Sequence, residues 1–536
     1  MATFEGGAEA APPVHTAASV AYGNGEIVIA ATATSPEHRI PDDEILFIAR
    51  RNEPGSSLEV FCLCWLREQT AAASDRASDG NQQEQSSSPA PPSAQFAFFT
   101  AALDESAVKN LPDEVLERHL LSENGPVHQN DRHASRSSPA LHVIVSTGSG
   151  LGQSQVFYDS VLQPLLSVLG FSAITEPGDK IPEGRTPYRL LVTKNARSIN
   201  EFAQSLGKPS TTSADAPATI VLLSGDGGVV DLLNGMAEQG QETDTDKLPA
   251  VALLPLGTGN ALFHSLHRRD YLAAAAAGTT CPSSLVLGLR TLFKGCATPL
   301  PNFEAYFSPG SHPVSYSLQE EEGKQPTLKE QAENVNSLRG AIVASYGFHA
   351  QLVWESDTPE YRKHGDKRFG MAAQELLKTS HAYHADVKFL RAGVAAAKPH
   401  HLGQRFNYVL ASMVSNLEKT FTISPASEPL DGQLRLVHFG DVGGTKTMEI
   451  MMAAYNNGAH VDMRWTSAAG DAAAEVQAEE SVGYEAIDEL QVDVLEQDAR
   501  WRKVCIDGTI VDIPQGGWMK VRKAPKPVLQ IIVQQG

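Results

Sequence analysis

Two patterns of apolar positions divide the chain. From 141 to about 270, short apolar runs alternate with segments whose apolar residues recur at helical spacing. The runs "LHVIV" (141–145), "YRLLV" (188–192), "ATIVLL" (218–223) and "AVALLPL" (250–256) read as buried strands. Each leads to a helix pattern: "QVFYDSVLQPLLSVLG", with a kink expected at Pro164, then "ARSINEFAQSL", "VVDLLNGMAEQ" and "ALFHSLHRRD". Strand and helix alternating through short turns predict a parallel α/β sheet. From Leu338 the pattern becomes strand-like, through "LRGAIVASYGFHAQLVW", "FNYVLASMVSN", "LRLVHFG", "TMEIMMAAYN", "LQVDVLE", "WRKVCIDGTIVDI" and "VLQIIVQQ". One helix pattern interrupts it at 369–378, and a second, β-rich domain is expected. Upstream, "GEIVIAATA", "EILFIARR", "LEVFCLCWL" and "FAFFTAAL" predict a small β-rich module. Its Ser/Gln/Pro-rich interruption at 70–93 reads as a disordered insertion. Polar stretches at 124–139, 208–217, 241–247, 311–337 and 466–481 read as surface loops, and no internal repeat is apparent. The expected layout is a β-rich extension over 1–138, an α/β domain over 139–270 and a β-rich domain over 271–536.

Composition narrows the function classes. A chain of 536 residues, 20% charged and 42% hydrophobic, suits a soluble globular protein of several units. Its net charge of −20 argues against nucleic acid as a partner and against constant attraction to anionic lipid. The five cysteines have no framework spacing, and Cys62-Leu-Cys64 is too tight for a zinc pair, so reduced thiols and a cytoplasmic location are expected. The start lacks a secretory pattern and a myristoylation glycine, and no apolar run is long enough to span a bilayer.

Chemistry concentrates in three glycine-rich turns, "STGSGLG" (146–152), "SGDGG" (224–228) and "PLGTGN" (255–260). All three follow strands of one predicted parallel sheet, where ligands bind outside the carboxyl ends. Bare backbone amides just ahead of a helix N-terminus suit phosphate oxygens. No Gly-Lys-Ser/Thr follows, which excludes a Walker A loop, and Gln153 breaks the dinucleotide fingerprint. Asp226 is the odd member. A carboxylate beside phosphate repels it, unless it anchors a metal or takes a proton from an attacking hydroxyl. The plainer role is turn chemistry.

"LLSGDGGVVDLLNGM" and "LLPLGTGNALFHSL" resemble the paired phosphate-binding motifs of the diacylglycerol kinase catalytic superfamily, on its sphingosine kinase and ceramide kinase-like branch. "STGSGLGQSQVFYDSVLQPLL", "VTKNARSINEFAQSL", "SYGFHAQLVWES", "EYRKHGDKRFG", "PLDGQLRLVHF" and "VCIDGT" match further motifs in order, so the resemblance covers roughly 140 to 525. It implies a Rossmann-like nucleotide-binding domain followed by a β-rich lipid-binding domain, as in NAD kinases and diacylglycerol kinases. It implies that Asp226 is the general base acting on a lipid primary hydroxyl. Ser149, Gly150, Ser224, Gly225, Gly227, Gly228, Gly257, Thr258, Gly259 and Asn260 would hold the phosphates of ATP, with Thr193 beside the nucleoside. Arg362 and Arg368 would contact phosphate from the second domain, and Asp507 and Gly508 would complete the site. Mg²⁺ is expected with ATP, its ligands unassigned. A long-chain lipid substrate and transient, peripheral membrane contact are expected partners.

The sequence departs from that family in three places. Ser146, Thr147 and Leu151 stand where many relatives carry Asn-Pro and basic residues, and Thr509 replaces the Glu of a late Asp-Gly-Glu. Sphingosine kinases carry acidic residues just after Gly-Phe, one of which recognises the polar head of the lipid base; here Gln351 and Val353 occupy those positions, and Gln351 and Glu355 are the expected substrate-binding residues. The acceptor is then a neutral lipid such as ceramide or diacylglycerol, or a sphingoid base held by another acid such as Glu355. The leading expectation remains a sphingoid-base kinase, with a non-catalytic relative or an NAD kinase-like enzyme as alternatives. His349, His364, His381 and His384 show no metal-ligand spacing and are expected at packing or surface positions.

Overall fold

The computed structural model describes residues 14–16, 19–31, 36–51, 60–69, 95–122, 125, 127, 140–176, 179–206, 217–237, 245–316, 328–330, 334–365, 367–394, 398–466 and 479–534. The insertion at 70–93 lies outside them, as do most of the loops expected at 124–139, 208–217 and 466–481.

The glycine turns gather because their strands end in register. The first sheet runs Cys296–Pro299, Gln530–Val533, Ala250–Pro255, Thr219–Ser224, Leu141–Val145, Thr186–Val192, Phe171–Ile174. Leu223 lies opposite Val145, Val145 opposite Val192, and Ser224 opposite Pro255, so the chain turns leave one edge together. Both central strands, Leu141–Val145 and Thr219–Ser224, are buried at every position. Their residues alternate between two cores: Ile144, Ile220 and Leu222 face the second domain, while Val143, Val145, Val221 and Leu223 face the extension. Uninterrupted apolar strands are thus required by layers on both faces.

The first sheet does not end at 270. Helix Ser284–Lys294 packs Leu285, Leu289 and Phe293 into its core, and Cys296–Pro299 and Gln530–Val533 join its edge. Gln530–Val533 pairs parallel with Ala250–Pro255, so the end of the β-rich region returns to the α/β unit. The expected kink appears as a π-helical stretch, Tyr158–Leu162, just ahead of Pro164.

The extension forms a four-stranded and a three-stranded sheet, and shares a core with the first domain. Phe47 meets Phe293 edge-on at 4.9 Å and Phe96 meets Phe157 at 5.1 Å. Arg290 reaches from Ser284–Lys294 to the Ile45 carbonyl at 2.8 Å.

The second domain is built on a thirteen-stranded antiparallel sheet. Three expectations within it change. The 311–337 loop contains the strands His312–Tyr316 and Leu328–Glu330 and the start of Ser337–Gly340. "GFHAQLVW" is not strand: Gly347, at φ 89°, ends Val343–Gly347 and admits helix Phe348–Ser356. "TMEIMMAAYN" lies largely in helix Gly443–Ala454, whose buried Thr447, Ile450, Met451 and Ala454 follow the i, i+3, i+4, i+7 spacing of one helix face. Among the described residues no helix is long and apolar enough to cross a membrane.

Candidate active site

Three loops interlock at the carboxyl edge of the first sheet. The Gly225 amide donates to Ser149 Oγ at 2.9 Å, tying the first loop to the second. The Thr147 amide donates to Thr193 Oγ1 at 3.0 Å, joining the first loop to the next strand end. Gly225 and Gly257 touch backbone to backbone, and a Cβ on Gly257 would run into the Gly225 Cα. A Cβ on Gly228 would sit 2.6 Å from Ser224 Oγ, so this glycine lets the helix start close to its own strand. Gly150, at φ 54°, lies against the Leu256 carbonyl. The amides of Gly225, Gly228 and Gly257 are therefore engaged inside the loops, to Ser149 Oγ, the Gly225 carbonyl and Asn260 Oδ1. These glycines give close packing, correcting the expectation that they grip phosphate through their own N–H groups. Gly227 differs, because the space where its Cβ would stand is open. Asn260, buried and at φ 52°, closes its turn instead of lining the cleft.

Asp226 begins helix Asp226–Ala237 and reaches across to the next loop. Its carboxylate accepts from the amides of Ala261 at 2.7 Å and Leu262 at 3.1 Å, at the N-terminus of helix Ala261–Leu266. Burial raises its carboxyl above the ordinary range, and the two amides pull it back part of the way. Asp226 thus ties two glycine-rich loops together and still lines the cleft between the domains.

The second domain supplies the opposite wall. Arg362 forms a bidentate pair with Asp357, Nε to Oδ1 at 3.0 Å and Nη2 to Oδ2 at 2.7 Å. Arg368 Nη1 reaches the same Oδ1 at 3.1 Å, while its buried Nε has no partner. One carboxylate therefore gathers both guanidiniums at the edge of the cleft. Asp507, a non-glycine residue at φ 47°, accepts from the amides of Ala341 at 2.6 Å, Ile342 at 3.1 Å and Val343 at 2.6 Å. Burial, opposed by those amides and helped by the negative charge of Asp226, raises its carboxyl to about 7. Among the described residues no group of three or more His, Cys, Asp or Glu side chains could hold a metal.

One cleft of about 910 Å³ joins these parts. Ser149, Gly150, Thr193, Ser224, Gly225, Asp226, Gly227, Gly228, Gly257, Thr258, Gly259, Arg362, Arg368, Asp507, Gly508 and Thr509 all line it. Its lining also includes an apolar set, Leu352, Phe369, Leu417, Phe421, Met448 and Met451.

The two expected acceptor residues fall elsewhere. Gln351 is 1% exposed and does not line the cleft; its Nε2 donates to Glu355 Oε1 at 2.8 Å. Glu355 pairs with Arg500 at 3.1 Å and faces a separate cavity of about 270 Å³ with His381 and Trp501. Three cleft features escaped sequence reasoning. Asp231 lines the same cleft, its carboxyl raised to about 7 by burial; a lone acid within "VVDLLNGM" was the available signal. His349 and the methionines of Gly443–Ala454 are the others.

Residues 141–282 match the diacylglycerol kinase catalytic domain. Human sphingosine kinase 2 is 23% identical over 262 residues, which is 49% of this chain and 32% of that protein. Sphingosine kinase B of Dictyostelium discoideum is 41% identical over 59 residues, 11% of this chain and 8% of that protein. The chain thus matches a third or less of the length of these curated relatives. Solved structures that align with it include a diacylglycerol kinase from Bacillus anthracis (12% identity, TM-score 0.40, 74% of this chain and 96% of that one). Yeast NADH kinase complexed with NADH also aligns (9% identity, TM-score 0.30, 74% and 83%). Residues 141–282 thus carry the match to the diacylglycerol kinase catalytic domain, and the chain is similar over part of its length to sphingosine kinases.

Proposed function

We propose that this protein is an ATP-dependent lipid kinase that phosphorylates the primary hydroxyl of a long-chain lipid of the sphingoid type. The observation that carries this reading is the single cleft of about 910 Å³, with phosphate loops and arginines in one part and an apolar wall in the other. Asp226 lies on that cleft among the loops, suited to both substrates. As the acceptor oxygen bonds to the γ-phosphorus, the bond to the β,γ-bridging oxygen breaks and ADP leaves. Asp226 takes the hydroxyl proton, and its raised proton affinity favours that role. Arg362 and Arg368, which line the cleft, neutralise charge on the transferring group, as phosphoryl transfer requires where no Walker lysine exists. Mg²⁺ bound with ATP would supply further charge neutralisation on the phosphates.

Membrane contact fits the same reading. Met371 is 41% exposed on the amphipathic helix Lys367–Lys378, and Met452 is 58% exposed on Gly443–Ala454. These two helices supply much of the apolar wall, so a lipid entering between them would leave a bilayer surface directly.

Incubation with labelled ATP and a panel of sphingoid bases, ceramide and diacylglycerol tests the proposal. Labelled lipid is expected from the native protein, and Asp226→Asn is expected to lower turnover by about 100-fold or more while ATP still binds. Normal ATP binding with no labelled lipid would remove the kinase reading. A ceramide or diacylglycerol acceptor is the second reading, favoured by the burial of Gln351 and the pairing of Glu355 away from the cleft.

A further inference from the structure

Helix Phe348–Ser356 forms the acceptor side of the cleft, and its rotation decides which residues a lipid head meets. Phe348, His349, Leu352 and Val353 line the cleft, whereas Glu355 lines the second cavity and Gln351 points to Glu355. On the body of this helix His349 is therefore the one polar side chain turned to the cleft. Asp357, at the helix end, is committed to Arg362 and Arg368.

The imidazole is held firmly. Its Nδ1 lies 2.8 Å from Ser345 Oγ, one strand end away, and its ring meets Tyr408 edge-on at 6.3 Å. Among the described residues no protein group hydrogen-bonds Nε2. Burial lowers the ring to about 4, so it is neutral at physiological pH. A neutral imidazole fixed through Nδ1 offers one donor or one acceptor at Nε2, according to its tautomer. An amide, with both a carbonyl and an N–H, satisfies either form. This helix offers an ammonium group no free carboxylate, the acids that line the cleft coming from other elements, Asp226, Asp231, Glu418 and Asp507.

We propose that His349 is the acceptor-binding residue of this kinase, and that it hydrogen-bonds an uncharged polar group beside the reacting hydroxyl, so that the preferred acceptor is an N-acylated sphingoid lipid, not the free base. This rests on the lipid kinase reading and narrows its substrate.

The test compares ceramide with free sphingosine in mixed micelles, using the full chain. The native protein is expected to show kcat/KM at least about tenfold higher for ceramide. His349→Leu is expected to raise the KM for ceramide about 10- to 100-fold with the KM for ATP unchanged, and His349→Gln to recover part of the loss. His349→Asp is expected to shift preference toward sphingosine by supplying the missing charge. Should His349→Leu fail to fold, Ser345→Ala frees the ring and is expected to raise the ceramide KM by a smaller factor. A native preference for sphingosine, or an unchanged ceramide KM in the folded variants, overturns the proposal. If ATP binds and no lipid is labelled, the kinase reading fails; binding to phosphatidylcholine vesicles doped with ceramide or sphingosine then judges His349. Ceramide-selective binding lost in His349→Leu supports it, and equal binding refutes it.

Discussion

A carboxylate at a strand tip does two jobs in this cleft. Asp226 accepts two amides of the neighbouring loop, which is turn chemistry, and it also faces the space between the domains, which is the position of a base. Asn at this position keeps an oxygen for one amide but cannot take a proton, so Asp226→Asn separates loop architecture from turnover. Asp507 gives a second prediction. Its carboxyl titrates near 7 in the folded chain, against about 3.8 for an ordinary aspartate, so the folded state holds a proton that the unfolded state has lost. Its contribution to stability therefore falls as pH rises from about 4 to 7 and levels off above that window. Urea unfolding across this range is expected to show a downward slope that Asp507→Asn reduces; an identical slope in the variant would refute the assignment. At this scale the sequence was legible where the signal is local. "SGDGG" announced a strand–turn–helix because glycines and an acid follow six apolar or small residues. It was illegible at Gln351 and Glu355, because a motif names positions and does not give the rotation of the helix that carries them.

Elements explain the remaining misreadings. "TMEIMMAAYN" is short and largely apolar, and such a run fits a buried strand and a buried helix equally well. Only the packing of Ile450 and Met451 into the large core selects the helix. The consequence is chemical, since a helix brings Met448, Met451 and Met452 to the cleft, where flexible thioethers would suit the proposed long-chain lipid. Met451→Glu is expected to abolish lipid turnover while leaving ATP affinity within about twofold, which lipid and nucleotide titrations would check. The loops make a contrasting case. Gly257→Ala would force the Gly225 contact apart, with a cost of about 1–3 kcal/mol and weaker ATP binding, readable by thermal unfolding and calorimetry. Unchanged nucleotide affinity in that variant would show that the loop contact does not shape the site.

The whole molecule differs from a string of three units. The extension shares the core of the first domain through Phe47, Phe293, Phe96 and Phe157, so Phe47→Ala is expected to destabilise the catalytic unit by about 3–5 kcal/mol. A denaturation midpoint that leaves ATP binding untouched would instead mark the extension as separable. Alternating strands and helices made the α/β class readable, because each periodicity is local. The fusion with the extension was not, since it depends on which outer face of the sheet the neighbouring strands cover.

The pairing of Gln530–Val533 with Ala250–Pro255 sets a limit on dissection. A chain cut after 270 would expose the flank of a strand whose residues are mostly buried, leaving a row of unpaired backbone groups next to the loop that carries Gly257. Such a fragment invites strand addition from a neighbour, so the catalytic half is expected to aggregate when made alone. The same pairing ties Gln530–Val533 to the strand that precedes Gly257, so disrupting those four residues would reach the glycine-rich loops although it changes none of their residues.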